Sequence, residues 1–288
     1  MSTITRAFVI YNPVSTGSSL EQAQQFQEKL QTIDIPVELL ATEHPGHAAE
    51  IAKRYANDAS IYLVSSSGDG TYHEIVNAIL THSRPESRAI TGLLPSGNAN
   101  DHYHFVHEGD VIERISHGDV RTIDTLKVTF DDTTVYAHSY VGLGITSQIG
   151  VELNKHKLHF FKELGIVVTH LFRIRGVRLM INGKKQRFDS LVFSTNGRMS
   201  KFLTLSTEAK VDDGLFEVNA LHRTHSLRLF GFLFKAATTG IATAPQMKHI
   251  QFTTLYATSM QLDGEIVSLP AHTTVTVEIH PQSLRCIV

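Results

Sequence analysis

Two kinds of apolar pattern alternate along the first third of the chain. AFVIY (7–11) is a compact apolar run closed by Asn12-Pro13. Between Ser18 and Ile33, apolar Leu20, Ala23, Phe26, Leu30 and Ile33 recur at three- and four-residue steps, which predicts one face of a helix. VELLAT (37–42) predicts a strand, AAEIAKRYA (48–56) a helix and IYLV (61–64) another strand. A helix carrying Ile75, Val76, Ile79 and Leu80 is expected after it, and AITGLLP (89–95) predicts a further strand. Buried strands separated by helices in this rhythm imply βαβ units and a mostly parallel sheet.

Near residue 123 the pattern changes. TLKVTFDDTTVYAHSYVGLGI (125–145) has two strand-like runs hinged on Asp131-Asp132, and RLMINGKKQRFDSLVFSTN (178–196) repeats the arrangement around Asn182-Gly183, a strong two-residue turn signal. Residues 211–221, 250–267 and 273–288 are also strand-rich, while 152–172 and 225–240 carry helical spacing. The organisation expected is α/β plus β, with an α/β domain over 1–122 and a largely antiparallel β domain over 123–274. The C-terminal strands near 275–288 are candidates to return to the first domain.

Composition narrows the function classes. Of 288 residues, 42% are hydrophobic and 19% charged, as in a globular protein with a proper core. A formal net charge of -2 argues against a nucleic-acid binder that works through bulk charge. One cysteine, Cys286, excludes a disulfide framework and a thiolate metal cluster and suits a reducing compartment. MSTITRAFVIYNP has only a short apolar run before a turn, unlike a signal peptide, and no stretch reaches the roughly 18 apolar residues of a spanning helix. A soluble, cytoplasmic protein is the expectation, with any membrane contact peripheral. Lys155 to Arg187 holds nine Lys/Arg against one acid, Glu163, among apolar pairs. That mixture fits either an interfacial surface facing anionic lipid or an ordinary solvated helix face. The histidines of HYHFVH (102–107) and HKLH (156–159) lack a nearby acid at a zinc spacing.

The candidate chemistry lies in glycine turns. SSSGDGTYHEIVNAIL (65–80) puts Asp69 between two glycines, directly between a strand and a helix. NPVSTGSS (12–19) and PSGNAND (95–101) follow other strands of the same expected sheet. Each by itself is a common connector, and an aspartate there also suits a helix N-cap. Together, at the C-terminal ends of parallel strands, they offer unpaired N–H groups and helix dipoles to phosphate. GxxxxGK[ST], the HRD and DFG pieces of protein kinases, and GxGxxG with a later acid are all missing, so the phosphate cradle is of another kind.

VIYNPVSTG, SGDGTYHEIVNAI, GLLPSGNAND, AKVDDGLFEV and LDGE occur in the order found in the diacylglycerol kinase catalytic family, which the chain resembles from Tyr11 to Glu265. NAD kinases and 6-phosphofructokinases also carry GDGT, but the DDGL and DGE pieces separate the lipid kinases from them. The resemblance implies a Rossmann-like first domain, a β-sandwich-like second domain and an ATP site in the cleft between them. By position, Asn12, Thr42, the run Gly68, Asp69, Gly70, Thr71 to Glu74, and Gly97 with Asn98 would face the nucleotide. Asp213, with Lys210 and Leu215 through main-chain oxygens, would match a structural Mg²⁺ site. Asp124 matches the aspartate where the family's chain enters the second domain, and Glu265 matches its proton acceptor. Ser67 stands where the family usually has the first glycine of GGDGT, Asn98 where it has threonine, and His102-Tyr103-His104 where an arginine often follows.

Phosphoryl transfer needs the triphosphate held in line and its charge neutralised. Gly68 and Gly70 would let backbone approach the phosphates, Thr71 would donate a hydroxyl, and Asp69 would hold Mg²⁺ or its waters. The expected activity is ATP- and Mg²⁺-dependent phosphorylation of a hydroxyl on a membrane lipid such as diacylglycerol. The setting would be the inner membrane face, with a homodimer possible. An NAD kinase-like enzyme for a soluble metabolite and an inactive nucleotide-binding regulator are the alternatives.

Overall fold

A computed structural model describes residues 4–15, 18–95, 110–147, 176–199, 203–204, 206–222 and 244–287. The chain divides into two compact units, Met1–Thr125 with Pro281–Val288, and Leu126–His280. The sequence placed these divisions at 122/123 and 274/275.

In the first unit, β1 (Arg6–Tyr11), α1 (Ser19–Gln31), β2 (Val37–Ala41), α2 (His47–Tyr55), β3 (Ile61–Ser67), α3 (Asp69–His82) and β4 (Ile90–Pro95) follow one another as the apolar spacing predicts. A helix that the pattern did not announce, α4 (Val111–His117), is capped by Asp110, whose side chain accepts the Ile112 N–H. β1 pairs in parallel with β2 and β3, and β3 with β4. Alternation along β1 sends Ala7 and Val9 to one face and Phe8 and Ile10 to the other, and each face has its own core. Ala23, Phe26 and Leu30 of α1 cover the first, and Ile51 of α2 and Ile75 and Ile79 of α3 the second. Burial on both faces explains why these strands read as continuous apolar runs. Leu20, counted in the predicted apolar face of α1, is 43% exposed. The buried stripe starts one residue earlier, at Ser19, whose hydroxyl donates to the Asn12 carbonyl.

The second unit is mainly antiparallel. β5 (Val120–Phe130) runs into it and pairs with β6 (Thr133–Ala137) across the expected turn, where Asp131 takes φ 48°. β7 (Tyr140–Gly144), β8 (Val177–Ile181) and β9 (Lys184–Ser194) follow. The β8–β9 hairpin turns on Asn182 and Gly183 at φ 49° and 72°, the two left-handed positions its two-residue loop requires. A short ladder joins β10 (Arg198–Met199) and β11 (Leu203–Thr204). β12 (Phe216–His222), β13 (Gln246–Met247), β14 (His249–Thr254), β15 (Thr258–Leu262), β16 (Glu265–Leu269) and β17 (Thr274–Ile287) complete the series. β9 is central, with β7, β8 and β12 all paired to it. The core on one sheet face holds Val141, Leu143, Leu191, Phe193, Phe216, Val218, Met260 and Leu262.

β17 continues from the second unit into the first, where Cys286 aligns with Thr91 of β4. The Cys286 thiol is fully buried, and desolvation pushes its pKa up to about 12. The native protein is therefore expected to resist an aromatic disulfide reagent at pH 8 and to react with one equivalent after denaturation. Rapid native reaction would show that β17 opens readily. The stretches with helical spacing at 152–172 and 225–240 lie outside the described residues, as do the histidines of HYHFVH and HKLH. The basic stretch is described only from Gly176 onward.

Candidate functional site

Parallel register assembles the first group of predicted residues. Tyr11 is level with Ala41 on one side and Ser66 on the other, and Ser67 is level with Pro95. Asn12, Thr42 and Gly68 therefore leave the sheet at one edge, the carboxyl ends of adjacent strands. The Asn12 side chain accepts the Val14 N–H at 3.0 Å, shaping the turn into α1. The Thr42 N–H donates to the Tyr11 carbonyl and carries the β1–β2 pairing one residue further.

α3 begins at Asp69, and Gly68, at φ -77° and ψ 176°, occupies the N-cap position. Asp69 is thus not the cap; it is a half-buried acid in the first helical turn, where the macrodipole favours negative charge. The departure at Ser67 is accommodated because that residue is the last of β3 and needs no glycine conformation. Its hydroxyl accepts from Thr71 Oγ1 at 2.8 Å, so the Thr71 hydroxyl expected at the phosphates is engaged one turn back. Glu74 Oε1 accepts the Gly46 N–H at 3.0 Å and ties α3 to the turn before α2, where Gly46 has φ 85°. Glu74 therefore shapes the loop beginning at Thr42. Gly97 and Asn98 lie outside the described residues.

Asp124 is 1% exposed on β5, and its Oδ1 accepts the Gln282 N–H at 2.7 Å. Gln282 sits at φ 44°, a strained conformation for a side chain of its type. This backbone contact stabilises a kink in β17.

In the second unit, the Asp213 carboxylate is exposed in a turn with Gly214 at φ 70°. Its Oδ1 accepts the Leu215 N–H at 3.0 Å and its Oδ2 faces Gln246 Nε2 at 3.5 Å. Among the described residues, no three His, Cys, Asp or Glu converge as a metal cluster. A hard cation at this turn would rest on Asp213, the carbonyl oxygens of Lys210 and Leu215, and water, an all-oxygen set compatible with Mg²⁺.

Glu265 opens β16, exposed, directly after a two-residue turn in which Asp263 and Gly264 take φ 50° and 103°. The turn is anchored from below. The buried Asp263 carboxylate accepts the N–H groups of His138, Ser139 and Tyr140 at 2.8, 2.9 and 3.0 Å. His138 Nε2 is 3.5 Å from the same carboxylate. This capture ends β6 and starts β7 inside what the sequence read as one strand. Asp263 was quoted within LDGE but given no role, since its partners lie more than a hundred residues earlier.

Strand pairing links the Asp213 and Glu265 turns. Asp263 N–H donates to the Tyr140 carbonyl, Tyr140 aligns with Ser194, Ser194 with Glu217, and Glu217 with Gln246. Both turns therefore sit at the same end of the sheet. Glu217, which sequence reasoning passed over, is 2% exposed, and desolvation raises its carboxyl above the usual range. Its Oε1 accepts from Gln246 Nε2 at 3.3 Å.

The first unit is thus a parallel βα arrangement with a Gly-Asp-Gly-Thr turn at its strand ends, and the second unit is largely antiparallel. Residues 6–128 match the family model described as diacylglycerol kinase catalytic domain. The chain is 25% identical over 284 residues to a diacylglycerol kinase of Staphylococcus aureus (strain bovine RF122 / ET3-1), covering 90% of this chain and 86% of the relative. It is also 25% identical over 285 residues to one of Staphylococcus saprophyticus, covering 90% and 88%. A solved structure described as a diacylglycerol kinase from Bacillus anthracis str. Sterne shares the fold, with a TM-score of 0.73 at 18% identity, covering 100% of this chain and 98% of that one. Among the described residues no helix is long and apolar enough to cross a membrane.

Proposed function

We propose that the protein is an ATP- and Mg²⁺-dependent lipid kinase that phosphorylates a hydroxyl of a membrane lipid, with diacylglycerol the leading acceptor. The observation that carries this reading is the alignment of Asn12, Thr42 and the Gly68–Glu74 turn at the carboxyl edge of one parallel sheet. That is where open α/β sheets bind nucleotides, and the diacylglycerol kinase catalytic family matches over the same residues. In this reading Gly68 and Gly70 admit the phosphates to the N-terminus of α3, and Asp69 orients a phosphate-bound Mg²⁺ through its waters. Mg²⁺ would supply charge neutralisation on the transferring phosphoryl group. Asp124 holds the β17 kink, and Glu265 accepts the lipid hydroxyl proton. Contact with the membrane would be peripheral, at the cytoplasmic face.

Incubation with labelled ATP, Mg²⁺ and a panel of lipid micelles alongside NAD tests the reading. Label on a lipid supports it, label on NAD makes the protein a soluble-metabolite kinase, and ATP binding without transfer makes it a regulator. The cation at Asp213 has its own test. An ion held only by the folded state raises stability, so chelation is expected to lower the melting temperature, and Asp213→Asn to abolish that sensitivity. Equal melting temperatures with Mg²⁺ and with chelator would remove Asp213 from a cation site.

A further inference from the structure

The β8–β9 hairpin concentrates positive charge that none of the roles above uses. Val177, Leu179, Ile181 and Phe188 belong to the core of the second unit. Alternation therefore turns Arg178, Met180, Lys185 and Arg187 to the opposite face of the hairpin. Arg178 aligns with Arg187 and Met180 with Lys185, so two guanidinium side chains stand directly across from each other. Like charges in that relation destabilise a strand pair. Arg178, Lys185 and Lys184, which opens β9, are exposed, and Arg187 is half-buried with an Nε that finds no hydrogen-bond partner. The chain from Val177 to Phe188 holds no acid, and among the described residues none of these four bases is ion-paired. Lys127 on β5, by contrast, is held by Glu278 at 2.9 Å. Beside the hairpin, Tyr256 is 60% exposed. The Arg178 guanidinium lies 5.2 Å from its ring centre and donates to its hydroxyl at 3.3 Å. Thr253, opposite Met180, and Thr274, opposite Thr253, continue the face with short uncharged side chains. Asp189, the next acid along β9, is buried, and Asp131 and Asp132 lie beyond β14 and β17 in the sheet order.

We propose that this hairpin face, with Tyr256 at its margin, docks the protein on a bilayer that contains anionic phospholipid. Charge complementarity selects that partner. Four unpaired bases on one hairpin reach the density at which basic clusters engage anionic head groups. An anionic surface also relieves the repulsion between Arg178 and Arg187, which no acid of the hairpin offsets. Tyr256 suits the same setting, because an aromatic ring with a polar tip settles at the head-group level. The bias extends along the chain, since Lys155 to Arg187 holds nine Lys/Arg and one acid. A nucleic acid is disfavoured. The face offers one aromatic ring and threonines where base stacking needs several rings, and the net charge of -2 gives no wide basic field to steer a polyanion. The inference rests on the lipid kinase reading for its purpose. The ligand it names is the anionic head group of the surrounding bilayer, not the phosphoryl acceptor, and its binding is measured without ATP.

The test sediments the full chain, without ATP, with vesicles of phosphatidylcholine alone and of an equal mixture with phosphatidylglycerol. Wild type is expected to bind the mixed vesicles about 100-fold more tightly than the neutral ones, and to lose that preference at high salt. Arg178→Gln, Lys185→Gln and Arg187→Gln should each weaken binding to the mixed vesicles about fivefold, the scale for one base near an anionic surface. The triple variant should lose most of the preference. Lys127→Gln, which removes the same charge from an ion pair elsewhere on the sheet, should bind as wild type does. Melting temperatures check folding, and the exposed Lys185→Gln carries the test if the triple variant does not fold. Wild-type binding by the folded variants, or an equal loss in Lys127→Gln, would overturn the proposal. So would a single-stranded oligonucleotide that binds through the same bases more tightly than the mixed vesicles, which would make the face a nucleic-acid site. If the variants lose vesicle binding but wild type phosphorylates no lipid, the docking face stands and the kinase reading falls. If lipid is phosphorylated and the variants bind vesicles normally, the reverse holds.

Discussion

Glu265→Gln is expected to lower turnover on the lipid acceptor by about 100-fold or more, the usual scale for loss of a general base. A lipid hydroxyl is a weak nucleophile at neutral pH, and a carboxylate that takes its proton during transfer removes that obstacle. Gln matches the size of Glu and suits the first residue of β16 equally well, but it cannot accept the proton. The Asp263–Gly264 turn that presents residue 265 is fixed by three backbone N–H groups on the Asp263 carboxylate, not by Glu265 itself. The melting temperature and the KM for ATP should therefore stay near wild type. Steady-state kinetics with saturating ATP and a diacylglycerol micelle measure the effect. Near-normal kcat would make Glu265 an exposed strand residue beside a hairpin turn and remove it from the mechanism.

Asp69→Ala should produce a loss of similar or larger size, more than about 100-fold in kcat, the scale seen when one preorganised electrostatic group is removed. The side chain opens the first turn of α3, and the N-cap position belongs to Gly68. Its favourable interaction with the helix dipole is worth about 0.3–1 kcal/mol, which permits only a small fall in melting temperature. Asp69→Asn, which keeps the shape and removes the charge, should behave like the alanine variant in kinetics. If both variants retain activity and melt well below wild type, Asp69 serves the start of the helix and the Mg²⁺ assignment fails.

Periodicity and turn chemistry made much of the architecture legible. Alternating faces on β1, the three- and four-residue spacing of α1, and the strand–turn–helix around Gly68 are local features. Their side chains interact with neighbours a few positions away, or with whatever apolar surface is nearest. Asn182-Gly183 is likewise a local instruction, because few residues accept two consecutive left-handed positions. The Gly68–Glu74 turn needed only its own strand and helix to be placed at a sheet edge.

Contacts between distant segments carried no such signal. The Asp263 carboxylate divides a predicted strand at residues 138–140, Asp124 meets Gln282 across 158 positions, and Glu74 reaches back to Gly46. Arg178 and Tyr256, 78 positions apart, meet only because β14 pairs with β8. By itself the sequence determined which stretches become helix, strand and turn, because backbone propensity and apolar alternation act over a few residues. Which polar groups share a partner, and which are buried without one, was decided only by the tertiary structure, because strand register is set by the packing of the whole sheet face.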